Sequence, residues 1–252
     1  MIKADVTFLG HSSVLIEMGG ARVLTDPVLL DRISILERAV SPLPTELYRD
    51  IDLVVISHLH LDHLDLPSLR MLGTHTPLVV PRGAGQFVRR MGFAEVEELG
   101  AGESIQVDGV SVRATPADHS GFRPPFGPSA DALGYVIEQG SESVYFAGDT
   151  DLFAEMADLE GVDLALLPVW GWGPRLGPGH MDPERAAEAL LLLRPRAAVP
   201  IHWGTLWPLG MGRVMLHRLQ SPPLEFASAA EVKAPDVKIL ITPPGETVPI
   251  PR

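Results

Sequence analysis

Ser57-His58-Leu59-His60-Leu61-Asp62-His63-Leu64-Asp65 places three histidines and an aspartate within six residues. It directly follows Ile51-Asp52-Leu53-Val54-Val55-Ile56, a short and nearly continuous apolar run of the kind that fills a buried strand. In extended backbone His58 and His60 point to one side, so both imidazoles reach a single ion. The chain must then turn, which presents Asp62 and His63 to a neighbouring position. A helical reading is poor, because residues i and i+2 do not share a helix face. The competing account is a surface loop that happens to be rich in histidine. The strand–turn–helix flanks, with Asp65 before Leu66-Pro67 as a helix start, favour a metal site.

One short cluster cannot complete two coordination spheres, so further ligands are sought at strand ends. His119 follows a β-rich stretch in Thr115-Pro116-Ala117-Asp118-His119-Ser120-Gly121. Asp149 follows Ser143-Val144-Tyr145-Phe146-Ala147-Gly148, and His202 follows Ala197-Ala198-Val199-Pro200-Ile201. Singly, each reads equally well as a turn residue, a helix cap or a satisfied core histidine. Together they share one position, the carboxyl end of a strand beside glycine.

The rest of the chain reads as strands alternating with helices. Val6–Leu9, Val14–Met18 and Ala21–Thr25 are β-rich, and Gly19-Gly20 between the last two signals a hairpin. Residues 30–50 read as an irregular or partly helical loop. Strands are expected at 78–81, within 96–115, at 133–138, 143–147, 164–168 and 197–201, and near 237–241. Helices are expected at 85–91, around 151–159 and, most clearly, over Pro183–Leu193 behind an Asp182 cap. The pattern predicts an α/β (α+β) chain in which two sheets stack and helices cover their outer faces.

Composition narrows the partners. The 252 residues are 46% hydrophobic and 21% charged, enough for a sizeable core and unlike a disordered chain. With no clean linker, residues 1–252 read as one domain. The net charge of −12, with no basic cluster longer than Arg89-Arg90, argues against nucleic acid or an anionic membrane as partner. The absence of cysteine excludes disulfides, thiolate metal sites and a cysteine nucleophile. The longest apolar run, 186–193, is interrupted by Glu188 and too short to cross a bilayer. Met1–Asp5 lacks a signal-peptide pattern, so a cytoplasmic protein acting on a small molecule is expected. The oligomeric state stays open.

The order His-x-His-x-Asp-His, then His119, then Asp149 in Gly-Asp-Thr, then His202 resembles the metallo-β-lactamase superfamily. The likeness runs from about Val6 to Thr205. It is closest to the branch with N-acyl-phosphatidylethanolamine phospholipase D and the ascorbate-phosphate lactonases. Leu9–Glu17, Leu24–Pro27, His180-Met181-Asp182-Pro183-Glu184 and Ile201-His202-Trp203-Gly204-Thr205 carry that narrower likeness. The resemblance implies a four-layer αββα sandwich with the site at one edge between the sheets. It also implies that His58, His60 and His119 hold one metal, that Asp62, His63 and His202 hold a second, and that Asp149 bridges them. Ser120-Gly121-Phe122-Arg123 and the loop 171–177 depart from the lipid-cleaving relatives, which leaves a phospholipid substrate in question.

Such a ligand set suits two divalent ions, zinc first and manganese or iron as alternatives. The expected enzyme is a hydrolase whose metal-bound hydroxide cleaves a small ester, lactone, amide or phosphodiester. Asp62, Asp149 and His180 are the expected catalytic groups, with His180 protonating the leaving group or binding an anion. Asp26 reads as either a turn residue or a group orienting a ligand histidine, and His11 as substrate contact or support. Arg123 and Arg175 favour an anionic substrate, and Trp170, Trp172, Trp203 and Trp207 offer an apolar pocket wall. His75 and His217 carry no expected role. Two alternatives stand beside the hydrolase: a non-catalytic metal-binding protein that retains the fold, and a phospholipase D-like phosphodiesterase. A nuclease of the same superfamily fits the acidic charge poorly.

Overall fold

The computed structural model describes residues 4–251 apart from 174, 212, 213 and 215; Met1–Lys3, Pro174 and Arg252 of the ranges read above therefore lie outside the described residues. The alternation within each strand explains the architecture. Along Ser13–Met18, Val14, Ile16 and Met18 join one apolar cluster and Leu15 joins another. Leu53 and Val55 likewise part from Val54 and Ile56. Side chains alternate across a pleated strand, so a strand apolar at every position must be covered on both faces.

Two seven-stranded sheets meet this demand. From edge to edge the first runs Thr247–Pro249, Asp5–Gly10, Ser13–Met18, Ala21–Thr25, Leu53–Val55, Leu78–Pro81 and Val96–Leu99. The second runs Lys238–Ile239, Ala197–Ile201, Leu164–Pro168, Glu142–Phe146, Leu133–Gln139, Val110–Pro116 and Ser104–Val107. Their facing sides share one core, in which Phe8, Val14 and Val55 pack with Tyr135, Leu166 and Val199. Helices α1 (Leu66–Leu72) and α2 (Gly85–Arg90) cover the outer face of the first sheet. Helices α3 (Pro183–Leu193) and α4 (Ser221–Lys233) cover that of the second. The result is the four-layer αββα sandwich. Burying each large apolar side chain in it contributes about 1.5–3 kcal/mol.

The hairpin at Gly19-Gly20 forms as read: Met18 pairs with Ala21, and both glycines have positive φ, as a two-residue primed turn requires. Two other readings are refined, and one helix is new. Residues 30–50 are partly helical as read, with a 3₁₀ helix over Thr45–Tyr48, but also contain two short strands: Leu36–Arg38 pairs with Arg32–Ile33 on one side and Leu206–Pro208 on the other as a small third sheet. The helix expected around 151–159 is present as a 3₁₀ helix over Ala154–Leu159. Helix α4 was not anticipated, because Pro222-Pro223 looks like a breaker although proline is tolerated in a first turn.

Strand direction places the site. Ala21–Thr25 is parallel to Leu53–Val55, and Glu142–Phe146, Leu164–Pro168 and Ala197–Ile201 are mutually parallel. Their carboxyl ends therefore open at the same edge of each sheet, where α/β folds gather ligand-binding residues.

Candidate metal centre

Residues 57–65 continue from Leu53–Val55 as an extended stretch that then turns. Leu59 and Leu64 are buried in the core beneath α1, so His58 and His60 are driven to the opposite side. The Leu64 amide donates to the His60 carbonyl at 2.9 Å, which closes the turn and brings Asp62 and His63 around. Asp65 then caps α1 by accepting from the Ser68 amide. Arg123 pins the loop: its guanidinium donates to the carbonyls of Leu59 and Leu64 at 2.9 and 3.0 Å and lies over the Phe87 ring. Arg123 is thus buried and engaged with backbone, which corrects its expected role toward an anionic substrate.

Asp26 holds the same loop from below. It accepts from the Ser57 amide at 2.7 Å, from the Ser57 hydroxyl at 2.5 Å and from His63 Nδ1 at 2.7 Å. His58 Nδ1 donates to Ser57 Oγ at 2.9 Å, so Asp26 orients two imidazoles, one directly and one through Ser57. Asp26→Asn is expected to lower metal affinity by about 10–100-fold while the fold persists, since outer partners fix the tautomer and ring direction. Competition with a chromogenic chelator measures it.

The remaining candidates converge from the second sheet. His119 follows Val110–Pro116 and donates from Nδ1 to the Gly179 carbonyl at 2.7 Å. His202, at φ 61°, directly follows Ala197–Ile201 and donates from Nδ1 to the Trp170 carbonyl at 2.7 Å. Asp149 follows Gly148, whose φ is +62° and where a Cβ would stand 2.6 Å from that of Ser57. Only glycine lets this strand end approach the histidine loop so closely.

The candidate ligands fall into overlapping groups around Asp149. His58, His60 and His119 offer ligand atoms within 4.8 Å of one another, and so do His11, Asp62, His63 and His202; Asp26 does so with His58 and His63, and Asp149 with His119 and His180. Asp149 Oδ2 is 3.1 Å from His63 Nε2 and 4.0 Å from His58 Nε2, and its Oδ1 is 3.1 Å from His202 Nε2. His180 Nε2 also reaches Asp149 Oδ2, at 3.4 Å, and its Nδ1 donates to the Pro178 carbonyl.

His11 is placed differently from a substrate contact. It is buried, its Nε2 donates to Asp62 Oδ2 at 3.1 Å, and its φ of 55° turns the ring behind the carboxylate. Trp172 Nε1 donates to the same oxygen at 2.9 Å from the cleft side. The expected wall of four tryptophans reduces to this one. Trp170 and Trp207 are buried with their indole N–H groups on backbone carbonyls, and Trp203 stacks on Phe8. His75 and His217 are exposed and outside the cluster.

Charge separates the imidazoles. Burial and the neighbouring His63 push His58 well below the usual histidine range. Burial, with the neighbouring His180 and His60, outweighs the Asp149 carboxylate and takes His119 down to about 4; burial with His202 takes His11 to about 3. Burial also disfavours a charged His63, but Asp149 and Asp26 outweigh it and hold that ring well above its ordinary value. Asp62 and Asp149 stay ionised despite burial, because their histidine neighbours favour the anion.

A divalent cation fits this donor set. His58 Nε2 is buried without a hydrogen-bond partner among the described residues, an omission that costs about 1–3 kcal/mol unless the lone pair has another use. The imidazoles of His63, His119 and His202 have Nδ1 engaged with outer acceptors, which directs their Nε2 atoms inward as ligand histidines require. Imidazole nitrogen with carboxylate oxygen is a ligand chemistry shared by zinc, manganese and iron.

Fold and site together define a metallo-hydrolase of the αββα class. The beta-lactamase superfamily domain model matches residues 21–203. A UPF0173 metal-dependent hydrolase of Methanopyrus kandleri is 32% identical over 248 residues, covering 96% of this chain and 98% of that one. N-acyl-phosphatidylethanolamine-hydrolyzing phospholipase D 1 of Caenorhabditis elegans is 31% identical over 81% of this chain, which spans 64% of that protein. The structure of Igni18, a metallo hydrolase from the archaeon Ignicoccus hospitalis, superposes with a TM-score of 0.78 at 28% identity over the whole of both chains. The chain belongs to the metallo-β-lactamase superfamily and is a metal-dependent hydrolase.

Proposed function

We propose that the chain, as one domain, hydrolyses a small ester, lactone, amide or phosphodiester with two divalent ions, zinc by preference. The observation that carries this reading is the position of Asp149 between the His58–His60–His119 group and the Asp62–His63–His202 group. His58, His60 and His119 would hold one ion, Asp62, His63 and His202 the other, and Asp149 both. When bound, the ions would activate water and polarise the acyl or phosphoryl oxygen.

The chain's own groups supply the rest. Asp62, fixed by His11 and Trp172, faces the cleft and orients the attacking water. The water oxygen joins the acyl or phosphoryl centre, the bond to the leaving group breaks, and the leaving atom takes one proton. His180 is placed to deliver it: its Nε2 lies 3.4 Å from Asp149 Oδ2 at the cleft, where burial disfavours its charge and Asp149 raises its pKa. The proton lost by the water returns to His180 or to solvent. His180→Gln should lower kcat by about 10²–10⁴-fold with metal content retained.

Metal quantification on purified protein, coupled to a panel of ester, lactone, amide and phosphodiester probes, tests the reading. The expected result is two ions per chain and turnover of at least one class. Fewer than one ion per chain, with no hydrolysis, would leave the non-catalytic alternative in its place.

A further inference from the structure

The cleft over the ligand cluster has two lobes that meet at His60, Asp62 and Trp172. One, of about 340 Å³, is the more polar of the two and is lined by Asp149, Arg175, Gly177 and His180 beside Leu176. The other, of about 170 Å³, is walled by Ile33, Ile35, Leu36, Leu61, Pro124 and Trp172. Its walls come from the small sheet, where Arg32–Ile33 turns back into Leu36–Arg38, and from the loops carrying Leu61 and Pro124. Ile35 is 60% exposed at the rim, an apolar side chain held in water beside a hydrolytic centre.

We infer that the apolar lobe is an acyl-side subsite for a compact hydrophobic group, and that the polar lobe receives an anion-bearing leaving group. The inference rests on the hydrolase reading above and deepens it. Three observations carry it. The lobes share the residues at which the scissile bond must lie, so a single substrate spans both. The polar side chains His180 and Arg175 both stand in the polar lobe, so a charged leaving group is received on that side and the retained apolar group lies in the other lobe. Arg175 lines the polar lobe, is exposed, and makes no ion pair among the described residues, so its charge is free for a substrate anion. The apolar lobe has the size of a ring or a short branched chain, not of a long fatty acyl chain. The substrate class is therefore a short-chain or aromatic acyl ester or amide of a small acid, or the phosphodiester of equivalent shape.

Two matched series on the metal-loaded protein as purified test this. Hydrolysis is measured for the acetyl, hexanoyl, benzoyl and dodecanoyl esters of glycolate and of uncharged glycolamide. Calorimetric binding is measured for the free acetate, hexanoate, benzoate and dodecanoate. Hexanoyl or benzoyl esters should exceed acetyl esters in kcat/KM by about tenfold or more, the discrimination that a hydrophobic pocket provides for added methylenes. Dodecanoyl esters should fall back, and the carboxylates should bind in the same order. Ile35→Asn, a change at an exposed side chain, should shrink the hexanoyl-to-acetyl ratio toward one in both rate and binding. Arg175→Gln should shrink the glycolate-to-glycolamide ratio and leave the acyl-length profile in place.

A flat acyl profile in rate and binding would overturn the inference, and so would an Ile35→Asn loss equal for every acyl group. Best turnover with the dodecanoyl ester would overturn the compact-group assignment in favour of a lipid-like substrate. If no ester is hydrolysed by protein carrying two ions, the ester reading fails. The carboxylate series still judges the lobe, and hexanoate or benzoate binding no tighter than acetate overturns it.

Discussion

Asp149→Ala should reduce hydrolysis by at least about a thousandfold, equivalent to about 4 kcal/mol of lost transition-state stabilisation, and should sharply lower bound metal. Asp149 touches His63, His202 and His180 and lies 4.0 Å from His58, so its removal disturbs both ligand groups at once. It also takes away the carboxylate that favours a charged His63 and a proton on His180. His60→Ala should act in the same direction through one group, since His60 meets His119 across 3.2 Å. His217→Ala, at an exposed position in a short 3₁₀ turn, should change neither metal nor rate. Elemental analysis beside steady-state kinetics reads all three. Full metal and full rate in His60→Ala would show the ligand assignment to be wrong.

Removing the metal should also loosen the whole sandwich. The cluster draws side chains from both sheets: Asp26, His58 and His63 from one, His119, Asp149 and His202 from the other. A ligand present at a thousand times its Kd stabilises the folded state by about 4.1 kcal/mol. For a chain of this size that corresponds to a Tm lower by about 8–16 °C after chelation, at about 2–4 °C per kcal/mol. Differential scanning calorimetry before and after chelator treatment, with the ion then restored, measures it. An unchanged Tm after verified metal loss would mean that the cluster does not couple the sheets.

The centre was legible because its chemistry is local. His58, His60, Asp62 and His63 sit in one short stretch, and His119, Asp149 and His202 each mark a strand end. Strands that run the same way send such ends to one edge whatever the loops do, and Val110–Pro116, two antiparallel pairings from Glu142–Phe146, runs with it. The residues around the centre were less legible. Whether Arg123 faces a substrate or the carbonyls of Leu59 and Leu64 depends on a loop conformation that composition does not encode. His11 looks the same in sequence whether its ring enters the cleft or is buried against Asp62, and only the fold, through its hydrogen bond to Asp62, decides the matter. Helix α4 escaped because Leu224 and Val232 face solvent while Phe226 and Ala230 face the core, leaving no clear apolar stripe. The apolar lobe escaped because strands of two and three residues carry too little periodicity to register.

The two carbonyls that steady His202 and His119 belong to Trp170 and Gly179, at the two ends of one loop. The loop is thus tied to two candidate ligands, one at each end. Mutations at Arg175, Leu176 and Gly177 can remodel the cleft while these ties keep the histidines aimed. Libraries confined to residues 175–177 should therefore yield variants of altered substrate preference that still load metal. Insertions at residue 170 or 179 should lose the metal before any new preference can be selected.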